Sequence, residues 1–176
     1  MNIKILSPCE HEKYYDEILK MLILGDDEFV PPLSSRSSTT QTDLSSCEKS
    51  NDGIIKYFEE MKKQRIMVAT EGDNLLAFVS YRENYTNNEI KEKDMPNIYL
   101  STLIVKPEAR GMKLTQRMYE ALFKTYEKVN IFTRTWSTNM AHIKILGKFN
   151  FETLCTLKDD RGKGIDTVYF VKRPEI

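Results

Sequence analysis

A single α/β domain built on a mixed sheet is the architecture this sequence predicts, and three observations carry it. Seven short runs rich in β-branched and aromatic residues alternate with four amphipathic stretches, in the order β, α, α, β, β, β, α, β, α, β, β. The run "IYLSTLIV" at 98–105 is apolar or hydroxylated throughout, the profile of a central strand buried on both faces. The length, 176 residues, suits one domain with a proper core.

Taken in order, "NIKIL" at 2–6 reads as a short strand. From Glu10 to about Leu24, the residues Tyr15, Ile18, Leu19 and Leu22 fall at helical spacing. Segment 26–46, "DDEFVPPLSSRSSTTQTDLSS", places nine serines and threonines among the fourteen residues from Leu33 to Ser46, directly after two prolines. That density of small hydroxyls predicts a loop, and one this long is either mobile surface or functional. Helix resumes around Asn51 to Lys63, with Ile54, Ile55, Phe58 and Met61 on one side and Asn51 or Asp52 as its cap. Two β-rich runs then flank "EGDN", a hairpin signal, and the charged connector "NNEIKEKDMPN" leads into the central strand. A helix over 112–126 presents Leu114, Met118, Ala121, Leu122 and Tyr126. "VNIFTRTW" is a further strand, and "STNMAHIKILGKF" a helix capped by Ser137, Thr138 or Asn139. "FETLCTL" and "DTVYFVK" close the chain as strands around "KDDRGKGI".

Composition narrows the function. With 26 basic and 26 acidic residues and no block of like charge, neither a nucleic acid nor an anionic membrane is an expected partner. No apolar run approaches the length of a bilayer span. The opening "MNIKILSPCEHE" has no hydrophobic signal core, so a cytoplasmic location is expected. Cys9, Cys47 and Cys155 are scattered and odd in number, and only two histidines accompany them. Reduced thiols and no metal site follow.

The chemistry concentrates in "VKPEARGMKLTQRMYEAL", residues 105–122. It runs from a strand end through a proline turn and an Arg-Gly pair into an amphipathic helix. Free N–H groups and the helix dipole at such a helix start can hold a phosphate. The alternative is an ordinary strand-to-helix turn with solvated basic residues.

Three motifs, "LIVKPEARG" with its following helix, the Asn139, His142 and Leu146 spacing inside "TNMAHIKIL", and "KFNF", resemble those of the GNAT superfamily of acyl-CoA-dependent N-acyltransferases. The resemblance runs from about Arg65 to Lys172, while the N-terminal sixty residues or so fit by element order. It implies one GNAT-like domain over 1–176, with residues 1–64 as acceptor-side elements and 65–172 as the acyl-CoA-binding core. The implied sheet is mixed and mostly antiparallel, of about seven strands flanked by about four helices, and its central strands splay into a V-shaped cleft. Acetyl-CoA is the implied acyl donor, and the implied activity is transfer of its acetyl group to a primary amine of a small molecule by direct attack. The alternative is an acyl-CoA-binding or regulatory module with little turnover. A homodimer is compatible with either.

Residue by residue, the resemblance places a pyrophosphate cradle on Arg110, Gly111, Met112, Lys113, Leu114 and Thr115. Lys113 and Thr115 stand where small residues are usual and keep their N–H groups, provided the turn needs no positive φ at 113. Backbone groups of Leu103 and Val105 are implied to bind the pantetheine arm. Asn139 is implied to touch that arm, to cap its helix, or both. The position of the usual tyrosine proton donor is Leu146, which leaves His142, one turn earlier, as a substitute donor or a structural histidine. The position of a glutamate base is Asn97, which cannot act as one. Tyr99 and Ser101 lie opposite Ile98 and Leu100 and are candidates to line the cleft and order a water relay, with packing as the other reading of Tyr99. Asn150 stands in for a glycine before Phe151 and tolerates a left-handed backbone. On the acceptor side, the Ser/Thr-rich loop with Arg36 and Asp43 suits a polar acceptor, polyhydroxylated or amino-acid-like.

Overall fold

The computed structural model describes residues 1–174, so the last two residues of the domain expected over 1–176 lie outside them. The elements follow the predicted order: β1 (Asn2–Leu6), α1 (Tyr15–Gly25), α2 (Gly53–Met61), β2 (Arg65–Glu71), β3 (Asn74–Glu83), β4 (Asn97–Val105), α3 (Leu114–Thr125), β5 (Asn130–Trp136), α4 (Met140–Lys148), β6 (Glu152–Leu157) and β7 (Thr167–Lys172). The strands form one sheet in the order β1-β2-β3-β4-β5-β7-β6. Every pairing is antiparallel except β4 with β5, because the crossover through α3 returns the chain in the same direction.

Two helical layers cover the sheet. On one face, Ile18, Met21 and Leu22 of α1 and Tyr57, Phe58 and Met61 of α2 pack on Ile66, Val68, Phe78 and Ile104. On the other, Leu114, Met118, Tyr119 and Leu122 of α3 and Leu146 of α4 pack on Met67, Val79, Ile98 and Leu100. The side-chain period of two sends alternate residues of β2 and β4 into different cores, which is why "IYLSTLIV" carries no polar face.

Several local expectations need correction. α1 begins at Tyr15, after a short 3-10 turn at Glu12–Tyr14, not at Glu10. The cause lies upstream: the Glu10 carboxylate accepts from the Ser7 amide at 2.8 Å, and His11 is buried with Nε2 against the Gln64 carbonyl at 3.1 Å. Asp52 holds the N-cap position of α2 but makes no capping bond, since its carboxylate is paired with Lys56 at 2.9 Å. Tyr57, not Ile55, points inward from α2. Its hydroxyl bonds the Thr102 hydroxyl at 2.7 Å, while Ile55 is exposed.

Segment 26–46 is a packed wall. Leu33 and Leu44 are buried and anchor it, and its hydroxyls bond local groups: Ser34 donates to Asp26 at 2.7 Å, Ser35 to the Pro32 carbonyl at 2.6 Å and Ser45 to Asp43 at 2.9 Å. Small hydroxyls let the backbone turn tightly while satisfying its own polar groups.

The centre of the sheet opens as the resemblance implies. The β4–β5 pairing runs from Asn97↔Asn130 to Leu100↔Thr133 and stops, although both strands continue. At that point β4 bulges: Ser80 faces Thr102 and Tyr81 faces Leu100, leaving Ser101 extra. The bulge bends β4 away from β5 and begins the cleft.

Candidate active site

The cleft between the diverging strands has a volume of about 280 Å³ and passes through the sheet layer. Its α3–α4 side is lined by Leu103, Val105, Thr115, Tyr119, Asn139 and His142, and its loop side by Phe29, Arg36, Thr39, Arg134, Trp136 and Arg161.

Beyond Leu100 the β5-facing edge of β4 has no strand partner, so its backbone groups are open to an extended ligand. At the far end of the strand, the turn 107–113 delivers the chain into α3. The first-turn N–H groups of α3 have no intrahelical acceptor, and Lys113 at the N-cap supplies no side-chain cap. These free donors, with the helix dipole, suit a pyrophosphate. The turn uses positive φ at Gly111 (+85°) and also at Lys113 (+57°), so the condition placed on position 113 is not met. Lys113 accepts the left-handed conformation at a cost of about 1–2 kcal/mol. Asn150 also adopts a left-handed backbone, with φ +57°.

The structure brings Leu103, Val105, Arg110, Thr115, Asn139, His142, Ser101 and Arg36 onto this one cleft. Met112 and Lys113 are exposed beside it, and Leu114 is a core residue of α3. Arg110 is half exposed and donates Nη2 to both Glu28 carboxylate oxygens at 2.7 Å. Asn139 caps α4 by accepting from the His142 amide at 3.3 Å, donates to Thr135 Oγ1 at 2.9 Å, and still lines the cleft. Ser101 spends its hydroxyl internally: it donates to Gln64 Oε1 at 2.7 Å, and Gln64 Nε2 donates to Thr39 Oγ1 at 2.6 Å. That buried chain ties the β4 bulge to the loop wall.

Tyr99 is not brought to the cleft. It lies where β4 and β5 are still paired, opposite Phe132, stacked on Tyr85 at 4.7 Å and packed with Tyr169 and Val171. Burial pushes its phenol up. Asn97 is buried and clamps the Tyr85 backbone, accepting from its amide at 2.9 Å and donating to its carbonyl at 3.1 Å. Leu146 is buried in the core, because the α4 face turned to the cleft is Ala141, His142 and Ile145. Asp43 is exposed.

His142 meets a partner that sequence reasoning missed. Its Nε2 and the Tyr119 hydroxyl share a hydrogen bond of 2.8 Å, and the rings stack at 6.2 Å. Burial lowers His142 to about 4 and pushes Tyr119 up, so both are neutral at pH 7. Tyr119 follows Thr115 by one helical turn, which was the available signal. Arg134 was also missed, and a charge inside the apolar run "VNIFTRTW" was its signal. Arg161, in the β6–β7 connection, carried none. Among the described residues, no cluster of histidine, cysteine or acidic side chains is placed to hold a metal ion, and no helix is long and apolar enough to cross a membrane.

Comparison with known proteins agrees with the geometry. A family model described as the acetyltransferase (GNAT) family matches residues 34–151, so the chain belongs to the GNAT acetyltransferases, whose acyl donor is acetyl-CoA. Among similar solved structures, an N-acetyltransferase from Staphylococcus aureus superposes with a TM-score of 0.64 at 18% identity, covering 98% of this chain and 99% of that one. An aminoglycoside 6'-N-acetyltransferase complexed with coenzyme A gives 0.67 at 15%, covering 99% and 100%. A ribosomal-protein-alanine N-acetyltransferase from Brucella melitensis gives 0.63 at 17%, covering 98% and 99%. A search of curated proteins returns no match. At such identities the likeness establishes the fold alone, and the last two of these proteins are named for different acceptors.

Proposed function

We propose that this protein transfers the acetyl group of acetyl-CoA to a primary amine of a small molecule by direct attack. The observation that carries the reading is the single cleft joining two unlike ends: an unpaired strand edge and open helix start on one, a side-chain chamber on the other. The first turn of α3 with Arg110 and Lys113 holds the pyrophosphate, and the free edge of β4 at Leu103 and Val105 holds the pantetheine arm. The amine enters from the loop side and meets the thioester where the strands part.

With Leu146 committed to the core and Asn97 to the Tyr85 backbone, the cleft-lining Tyr119–His142 pair is the titratable pair left to serve the chemistry. A neutral histidine hydrogen-bonded to a protonated phenol suits donation toward developing negative charge more than deprotonation of an ammonium. The same two commitments favour the second reading, a module that binds acetyl-CoA with little turnover.

Free-thiol release from acetyl-CoA over a panel of small amines separates the readings. Acceptor-dependent thiol supports transfer, and tight acetyl-CoA binding without it supports the binding module. Arg110→Ala is expected to weaken CoA binding about 3- to 10-fold, the range of one exposed charge-assisted contact. Unchanged CoA affinity in that variant removes Arg110 from the cradle.

A further inference from the structure

Three arginines converge on the loop side of the cleft without a carboxylate among them. Arg36 comes from the 26–46 wall, Arg134 from β5 and Arg161 from the β6–β7 connection, and all three line the cavity. Arg36 and Arg161 are only 7% and 6% exposed. Charges so withdrawn from water are ordinarily paired. Among the described residues, none of the three forms an ion pair. The one carboxylate lining the cleft, Glu28, is bound to Arg110. Asp160, beside Arg161 in sequence, accepts from the Thr167 hydroxyl at 2.5 Å.

The guanidiniums are braced by neutral acceptors. Arg36 donates Nε and Nη2 to the Pro31 carbonyl at 3.1 and 2.7 Å. Arg134 donates to the Tyr169 hydroxyl at 3.1 Å and to the Gln41 carbonyl. Arg161 donates to the Thr167 hydroxyl at 2.8 Å and to the Val30 carbonyl at 2.5 Å. Each guanidinium has five N–H groups, so these bonds fix direction and leave donors for a ligand. The cations also act on one another. Burial first, then repulsion from Arg36 and Arg134, pushes Arg161 down to about 9. Asp160, outside the lining, offsets part of this charge at Arg161. An arrangement that still gathers three guanidiniums in one cavity with no ion pair among them is matched to an anion.

We infer that the amine acceptor carries a carboxylate or phosphate group, and that Arg36, Arg134 and Arg161 bind that anion. The inference rests on the acetyl-transfer reading. It names the acceptor class as anionic amines, such as amino acids or phosphorylated amino alcohols. Polycationic amines are rejected, since they place like charge against the three guanidiniums.

Matched pairs test this: aspartate against its diamide, O-phosphoethanolamine against ethanolamine, with spermidine and an aminoglycoside as cations. Thiol release is expected to favour the anionic member of a pair by about 10- to 100-fold in kcat/KM, the range of one or two charge-assisted hydrogen bonds. The two pairs tell carboxylate from phosphate. Arg36→Gln and Arg161→Gln should collapse that preference, and Arg36→Lys should restore part of it, which separates lost charge from lost folding. Calorimetric titration of wild-type protein, loaded with CoA, by aspartate and by O-phosphoethanolamine needs no variant. Binding of either without thiol release keeps the three-arginine anion site but ends the transfer reading, and with it the assignment of the bound anion as an acceptor. Thiol release confined to neutral or cationic amines keeps transfer and overturns the inference, as does the absence of any anion binding to the CoA-loaded protein.

Discussion

The two sides of the cleft are built from different materials. On the α3–α4 side the groups left open are largely backbone: a strand edge that lost its neighbour and the first turn of a helix. On the loop side they are side chains, brought together from positions as distant as Phe29 and Arg161. Backbone presents the same N–H and C=O whatever the residue, so the first side tolerates Lys113 and Thr115 where small residues are usual. Side-chain chambers have no such tolerance, and what they contain decides which acceptor they take. One fold can therefore keep its acyl donor while changing its amine.

The sharpest break of this comparison uses one substitution on both sides. A Cβ added at Gly53 would lie 1.7 Å from the Ser34 carbonyl oxygen, where the start of α2 presses on the loop wall. At Gly111 the added Cβ meets nothing within 4 Å, and the cost there is the backbone strain of φ +85° alone. Gly53→Ala is expected to destabilise the protein by about 3 kcal/mol or more, since backbone must move to relieve the overlap. Gly111→Ala should cost about 1–2 kcal/mol. Chemical denaturation of both variants checks the ranking, and equal losses would show that the loop is not seated against α2 as described.

That asymmetry also explains what was legible beforehand. The element order, the central strand and the turn at 107–113 are encoded locally, in periodicity and in one contiguous motif, so "VKPEARGMKLTQRMYEAL" could be read unaided. The pair Tyr119–His142 spans 23 residues and needed the α3–α4 packing to appear. Arg161 reaches Val30 across 131 positions, a neighbour no local pattern announces. Tyr99 departs from expectation for a smaller reason: alternation places it on the face opposite Ile98 and Leu100, but the cleft opens only after Leu100, where pairing with β5 ends. The serines and threonines of 33–46 suggested a hydroxyl-rich lining, yet most of them are consumed in holding the loop's own shape.

A second test concerns acid. His142 on the α3–α4 side is lowered by burial to about 4 from an ordinary value of 6.5, whereas the loop side relies on guanidiniums that stay charged through the same range. A histidine kept neutral in the fold takes up its proton first in the unfolded chain. Its stability contribution is therefore complete above about pH 6.5 and lost as pH falls toward 4. A fall from 6.5 to about 4, at roughly 1.4 kcal/mol per pH unit, sets an upper limit of about 3.5 kcal/mol. His11, also lowered by burial, acts with the same sign, so the comparison must isolate one residue. The stability advantage of wild type over His142→Asn is expected to shrink by about 2–3 kcal/mol between pH 7 and pH 4.5. Thermal unfolding of the pair across that range measures it, and parallel curves would mean that His142 is solvated.

The smallest effect sharpens the claim that the α3–α4 side works through backbone. Lys113 pays about 1–2 kcal/mol for its left-handed conformation, and glycine adopts the same φ of +57° freely. Glycine also gives the unfolded chain more freedom, which returns up to about 1 kcal/mol of that gain. Lys113→Gly should therefore stabilise the protein by roughly 0.5 kcal/mol, seen as a small rise in denaturation midpoint. The consequence for CoA is the informative part. Where the amides alone hold the pyrophosphate, affinity is unchanged at any ionic strength. Where the ammonium adds to them, affinity falls about 2- to 5-fold at low salt, and the difference fades by roughly 0.3 M as screening shortens the reach of an exposed charge. A loss that persists at high salt would instead mean that the Lys113 side chain makes a desolvated contact, and that this side of the cleft is less purely backbone than its geometry indicates.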